Sequence, residues 1–210
     1  KKAMSIKNFP IISNFANVEV EKDVNKKNIF NLVYIGNLAE IRGVTQIVKA
    51  LEFIDSDKQL KLTLYGKFSP ADYESEVRRL EGFKKVEFKG WAKSCDIPRL
   101  LKNFDAGIVC LQPLPNYITA LPVKLFEYIA AGLPVIASNF PLYKEIIEGN
   151  KCGLTINPLE PKEIAKAIEY LIEHPDEAKK MRDNGRKAVL EKYNWENESK
   201  KLLKVYEELT

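Results

Sequence analysis

The chain has 210 residues, 45% of them hydrophobic and 30% charged, with a formal charge of +4. That is ample for a sizeable core in one large domain, and it is the composition of an ordinary globular protein, not of a disordered or fibrous one. The charge is mild and the lysines are spread along the chain, which argues against a nucleic-acid partner and leaves room for an acidic surface or a polyphosphate ligand.

Residues 1–29 lack periodicity. Lys1-Lys2-Ala3-Met4 reads as an artificial start, Phe9 to Phe15 as an extended segment, and the whole as a connector to something upstream. From there the pattern sharpens. Asn31 to Gly36 reads as a buried strand. Val44, Ile47, Val48, Leu51 and Ile54 fall at helical spacing. Leu60 to Tyr65 alternates as a strand, ended by Gly66. Ala71 to Leu80 reads as a polar surface helix, Val86 to Phe88 as a short strand before Gly90-Trp91, and Ile97 to Phe104 as a helix with Pro98 in its first turn. Ala106 to Cys110 is a buried strand, and Leu111–Leu121 a long loop. Pro122 to Ala131 is a helix with Pro122 at its first position and Gly132 as its stop. Its apolar face is assigned to Val123, Phe126, Ile129 and Ala130. A strand from Pro134, a helix from Pro141 to Glu148 and a strand from Cys152 to Ile156 follow. Three helices end the chain: Glu160–Glu173, Asp176–Tyr193, and a last one capped by Asn194, with Trp195, Leu202, Tyr206 and Leu209 on one stripe.

Strand and helix alternate with short connections, the signature of an α/β, Rossmann-like, doubly wound parallel sheet with helices on both faces. Ligands in such sheets lie beyond the C-terminal strand ends. Here Gly36, Gly66, Gly90 and the 111–121 loop mark those ends, though each glycine alone reads equally as a tight turn.

Chemistry is sparse. Cys95, Cys110 and Cys152 have no metal-ligand spacing, and an odd number of free cysteines suits a reducing compartment. His174 is the sole histidine and reads as a loop residue. No apolar run approaches ~20 residues, and no stretch reads as a signal peptide. Neither a G-x-G-x-x-G fingerprint nor a P-loop is present. What stands out is Glu127, a carboxylate in an otherwise apolar helix whose start, around Leu121 to Lys124, offers backbone N–H groups without a good cap. Such a helix start binds anions, and a carboxylate one turn on accepts hydroxyls, which suits a phosphorylated, hydroxylated ligand. The alternative is a solvent-facing Glu on a half-buried helix. Arg42, beside a strand-to-helix loop, is a phosphate partner or a surface residue. Lys124 opposes the helix dipole, a conflict that a bound anion would resolve.

Tyr34-Ile-Gly-Asn-Leu, Arg42-Gly43-Val44, Leu64-Tyr-Gly66, Phe88-Lys-Gly90 and above all Leu121-Pro-Val-Lys-Leu-Phe-Glu-Tyr-Ile-Ala-Ala-Gly-Leu-Pro-Val-Ile136 resemble the C-terminal, donor-binding half of GT-B glycosyltransferases, in particular the retaining family 4, or group 1. The likeness runs over roughly residues 29–209. It implies a connector at 1–29, a nucleotide-sugar-binding domain at 30–193, and a final helix at 194–210 that packs toward an N-terminal, acceptor-binding domain. It implies hexosyl transfer from a UDP- or GDP-sugar to a glycan or lipid-linked acceptor in polysaccharide synthesis, with no cofactor and no metal. The setting is cytoplasmic, with peripheral association at the inner face of the membrane open to the full enzyme.

Carried over residue by residue, Glu127 would hold the ribose hydroxyls, and Arg42 with Lys124 would supply the catalytic charges at the diphosphate. Gly36 would open the phosphate loop, and the amides near Ala120, Leu121 and Val123 would face the phosphates. The turns after Gly66 and Gly90 would border the base, with Trp91 and Ala92 as candidates. Two positions depart from the family pattern. Thr119 stands where the first glutamate of Glu-x7-Glu belongs, and Asn37 where an arginine usually follows the glycine. Two other readings share the fold: a GT-B nucleotide-sugar epimerase, and a non-catalytic nucleotide-binding module.

Overall fold

The computed structural model describes residues 9–11, 29–55 and 57–208, apart from the side chain of Val205. Most of the segment expected to be a connector, namely Lys1 to Asn8 and Ile12 to Asn28, and Leu209 of the expected terminal stripe lie outside the described residues.

The elements in chain order are β1 (Phe30–Ile35), α1 (Val44–Ala50), β2 (Leu60–Tyr65), α2 (Tyr73–Arg78), β3 (Val86–Gly90), α3 (Ile97–Leu101), β4 (Ala106–Val109), α4 (Pro115–Ile118), α5 (Val123–Ala130), β5 (Val135–Ser138), α6 (Pro141–Ile147), β6 (Gly153–Ile156), α7 (Pro161–Glu173), α8 (Pro175–Glu191) and α9 (Trp195–Glu207). The strands form one parallel sheet in the order β3-β2-β1-β4-β5-β6. The expected doubly wound architecture is the observed one.

Alternation along each strand sends side chains to two separate cores. Leu32 and Tyr34 of β1, Leu62 and Leu64 of β2, and Ile108 of β4 meet Ile47 and Val48 of α1 and Ile164 and Ile168 of α7 on one face. Val33, Ile35, Val109 and Val135 meet Leu125, Phe126 and Ile129 of α5 on the other. Each fully buried Leu or Ile contributes about 1.5–3 kcal/mol of transfer free energy, so both faces of the central strands are committed to the interior. Phe9 joins the second core, its ring 4.8 Å from that of Phe126.

The sheet reverses direction between β1 and β4. On its β2 side β1 is paired along its whole length, from Phe30 with Leu60 to Ile35 with Tyr65. On its β4 side pairing covers only Leu32 with Ala106 and Val33 with Gly107. The two strands therefore part before their C-terminal ends, opening the crevice in which this fold class binds ligands.

Several expected boundaries shift. The loop 111–121 contains the one-turn helix α4. Pro122 is not the first helical residue of α5 but its N-cap, with extended φ −70° and ψ 129°. The buried face of α5 is Leu125, Phe126, Tyr128 and Ile129, with Val123 and Ala130 only half-buried. The reason is that α5 lies against both β4 and the β1 end, which turns Tyr128 inward. Gly132 stops the helix as expected. Its φ is +75°, its N–H donates to Ile129 O, and that of Leu133 to Tyr128 O, so the last carbonyls of α5 are closed by a Schellman motif. The surface helix between residues 71 and 80 is shorter, and it buries Tyr73 and Val77.

At the end of the chain, Asn194 is buried and caps α9. Its Oδ1 accepts from Asn197 N at 2.7 Å, and its Nδ2 donates to Val189 O at 2.7 Å. Trp195 N donates to Pro10 O at 3.0 Å, tying the start of α9 to the Phe9–Ile11 segment. Trp195 and Leu202 are half-buried, whereas Leu203 and Tyr206 are exposed.

Candidate functional site: a cationic cleft at the strand ends

A cleft of about 270 Å³ opens over the C-terminal ends of β1, β2 and β3, with the first turn of α5 as its opposite wall. Ile35 and Gly36 form its floor, Tyr65 and Gly66 one side, Trp91 and Ala92 its outer rim. Ser94 and Ile97 extend that rim, while Pro122 to Lys124, Glu127 and Arg42 complete the wall.

The floor is built by close backbone approach. The Gly36 N–H donates to Tyr65 O, and that of Gly66 to Gly90 O, so the three strand ends are stitched together in turn. Gly36 has φ +141° and Gly66 φ +152°. A Cβ at Gly66 would stand 1.8 Å from Gly36 O, so this glycine is required by the neighbouring strand and not by a ligand. A Cβ at Gly36 would stand 2.7 Å from Lys124 Nζ, so this glycine makes room for the lysine. Beyond Gly36 the loop is held by Tyr34, whose hydroxyl donates to Asn37 O at 2.8 Å.

Lys124 folds back over β1, its Nζ 3.9 Å from the centroid of the Tyr34 ring. The ammonium is buried and has no hydrogen-bond partner among the described residues. Burial, then the like charge of Arg42, pushes its pKa down to about 7, and Glu127 opposes that shift only in part. Arg42 ends the short turn Glu40–Arg42. Its guanidinium lies 5.0 Å from the Tyr117 ring centroid. Its Nε is likewise buried and unpartnered among the described residues. α4, which carries Tyr117, is thus what steadies Arg42. Glu127 sits one turn along α5 from Lys124, half-buried, and burial raises its carboxyl while Lys124 lowers it.

These charges share a direction. Lys124 and Arg42 both line the cleft beside the start of α5, whose N-cap supplies no side-chain oxygen, and among the described residues neither Lys124 Nζ nor Arg42 Nε, both buried, has a hydrogen-bond partner. Helix dipole, free N–H groups and two basic side chains make this a place for an anion of more than one charge. A carboxylate beside it is an acceptor for hydroxyls.

α5 is fixed to this floor by Tyr128. Its ring crosses β4 over Gly107, where a Cβ would come within 2.4 Å of it. Its hydroxyl donates no bond to β4 but accepts from Ile35 N at 2.8 Å. That N–H is the one that β4 leaves open where the two strands part. The sequence gives no sign of the role of either Tyr128 or Tyr34, because a tyrosine at a core position looks like any aromatic until its hydroxyl has a partner.

Gly36, Arg42, Gly66, Trp91, Val123, Lys124 and Glu127 therefore meet in one cleft. Asn37, Thr119, Ala120 and Leu121 do not line it. Asn37 and Thr119 are exposed, Ala120 is half-buried, and Leu121 turns toward the core beneath α5. Trp91 is 65% exposed, with Lys67 Nζ 5.9 Å from its ring centroid. Among the described residues no group of three or more His, Cys, Asp or Glu side chains is placed to hold a metal ion, and no helix is long and apolar enough to cross a membrane.

Comparison with known proteins gives the cleft its context. The family model for glycosyl transferases group 1 matches residues 17–188. An uncharacterized glycosyltransferase of Methanocaldococcus jannaschii is 26% identical over 176 residues, covering 83% of this chain and 44% of its own. Spore coat protein SA of Bacillus subtilis is 27% identical over 185 residues, covering 84% of this chain and 48% of its own. The chain thus spans about half the length of these curated relatives. In fold it is similar to Anabaena HepE in complex with UDP, with a TM-score of 0.83 at 21% identity, covering 97% of this chain and 57% of that one. It is also similar to the C-terminal domain of a group 1 glycosyl transferase, LpcC of Francisella tularensis, with a TM-score of 0.73 at 20% identity. There the match covers 88% of this chain and 98% of the other. The chain belongs to the glycosyl transferases group 1 family, and its fold is that of a C-terminal domain of such an enzyme.

Proposed function

We propose that this chain is the donor-binding half of a retaining hexosyltransferase, and that the cleft holds the nucleoside diphosphate of a UDP- or GDP-sugar. The observation that carries the reading is the convergence of two basic side chains, Arg42 and Lys124, at the uncapped start of α5, with Arg42 Nε and Lys124 Nζ buried and without a hydrogen-bond partner among the described residues. In transfer, the bond between the anomeric carbon and the diphosphate oxygen breaks with its electron pair left on the diphosphate, while an acceptor hydroxyl oxygen bonds to that carbon and its proton passes to the departing diphosphate. Arg42, Lys124 and the helix N-terminus stabilise that charge electrostatically and need no metal to do so. Glu127 accepts the ribose hydroxyls. The exposed face of Trp91 borders the base. That HepE has been crystallised with UDP and with UDP-glucose supports a nucleotide-sugar ligand for the same fold.

The acceptor, a glycan or lipid-linked sugar in cell-surface polysaccharide synthesis, belongs in this reading to a second, N-terminal domain. Residues 1–29 connect to that domain and α9 packs toward it. The whole enzyme is then cytoplasmic, with its acceptor at the inner face of the membrane.

Calorimetric titration of this chain with UDP, GDP, UDP-glucose and GDP-mannose tests the reading. One nucleotide series binds, and Glu127→Ala weakens it by about 1–3 kcal/mol with the fold intact. Silence toward every ligand at millimolar concentration sinks the donor reading. Unchanged affinity in Glu127→Ala removes Glu127 from it.

A further inference from the structure

We infer that Lys124 is the residue through which this cleft distinguishes a diphosphate from less charged ligands, by taking up a proton as the diphosphate enters. The inference rests on the donor reading and goes beyond it.

The geometry is that of a lysine stored without its charge partner. Nζ is buried, lacks any hydrogen-bond partner among the described residues, and lies against the face of Tyr34 in the space that Gly36 leaves. The groups that face it come from three elements. From the turn Glu40–Arg42 comes Arg42, a like charge; from α5 comes Glu127, a partial counter-charge one turn away. From β1 comes the Tyr34 phenol, whose ionisation burial pushes further up, so it stays neutral. The start of α5 adds the positive end of its dipole. An ammonium in such surroundings is held only by the ring face and a distant carboxylate, and its neutral form is favoured. The depressed pKa of about 7 agrees with this. A diphosphate entering the cleft supplies the missing acceptor. The lone pair on Nζ then takes a proton from the buffer, and nothing is oxidised or reduced. A nucleoside brings no such acceptor and leaves the amine as it was. The cleft so avoids holding two bare cations side by side when empty.

The sign follows from linkage. The pKa near 7 in the free chain rises in the complex, so binding takes up protons above about pH 7 and is indifferent to pH well below it. The probe is UDP-glucose or GDP-mannose, whichever binds, because the diphosphate of a nucleotide sugar has no proton to gain or lose in this range. Calorimetry at about pH 8 in buffers of different ionisation enthalpy, such as Tris and HEPES, reads the proton count directly. The expected result is close to one proton taken up per ligand, with affinity falling by up to about tenfold per pH unit from pH 7 to 8.5. Lys124→Met abolishes the uptake and flattens the pH profile. Binding with no buffer dependence in the unmodified chain overturns the inference and leaves the donor reading standing. Uptake that persists in Lys124→Met overturns the assignment to this lysine. No binding of either nucleotide sugar overturns the donor reading and this inference with it.

Discussion

Glycines 36, 66 and 90 look alike in the sequence, each at a strand end, and differ once their surroundings are known. Gly66 is hemmed in by the Gly36 carbonyl, Gly36 by Lys124, and Gly90 (φ +70°) by nothing within 4 Å. Gly66→Ala therefore combines a backbone clash with left-handed strain and lowers stability by roughly 3 kcal/mol or more, while Gly90→Ala pays only the strain, about 1–2 kcal/mol. Urea unfolding of the two variants checks the order. Equal losses would mean that the strand ends are not packed as described. At this scale the sequence reveals residue type and spacing, which is why Arg42, Lys124 and Glu127 are visible in it as candidates. It does not reveal which neighbour a residue answers to. Thr119 and Asn37 sit at positions singled out by family pattern alone, and both side chains are exposed and outside the cleft.

Among the elements, α5 is the most legible and also the most instructive. Gly132 ends it where expected, since only a left-handed residue closes a helix with two backward N–H bonds. The oddity of Glu127 is legible because a carboxylate breaks an apolar pattern. Tyr128 is not, because its role depends on β1 and β4 parting, a property of the sheet and not of the helix. The structure makes Tyr128 the peg between the helix that carries Lys124 and Glu127 and the strand that carries Gly36. Tyr128→Phe leaves Ile35 N buried without an acceptor, which costs about 1–3 kcal/mol of stability. It also frees the α5 start from the cleft floor, so nucleotide affinity falls although the residue touches no ligand. Amide exchange at Ile35 is the direct check. Protection there that survives Tyr128→Phe would show that the hydroxyl is not what holds the strand end. α4 escapes sequence reading for a simpler reason: one turn, begun by Pro115, is too short for periodicity to register.

For the molecule as a whole, alternating strands and helices announce the parallel sheet, and short connections limit its topology. Strand order follows from chain reversal between β1 and β4, and that reversal places the crevice. The functional assignment is then a matter of charge. The 270 Å³ cleft gathers Arg42 and Lys124 at one helix start, and among the described residues neither the buried Arg42 Nε nor the buried Lys124 Nζ has a hydrogen-bond acceptor. The most direct measurement is a two-dimensional amide NMR titration of this chain with UDP-glucose and with GDP-mannose. Saturable shifts are expected at Gly36, Gly66, Val123, Lys124 and Glu127 and at the Trp91 indole, lost in a variant carrying Arg42→Met and Lys124→Met together. Saturable shifts that leave these residues still and gather elsewhere, or shifts that persist in that double variant, would contradict that assignment.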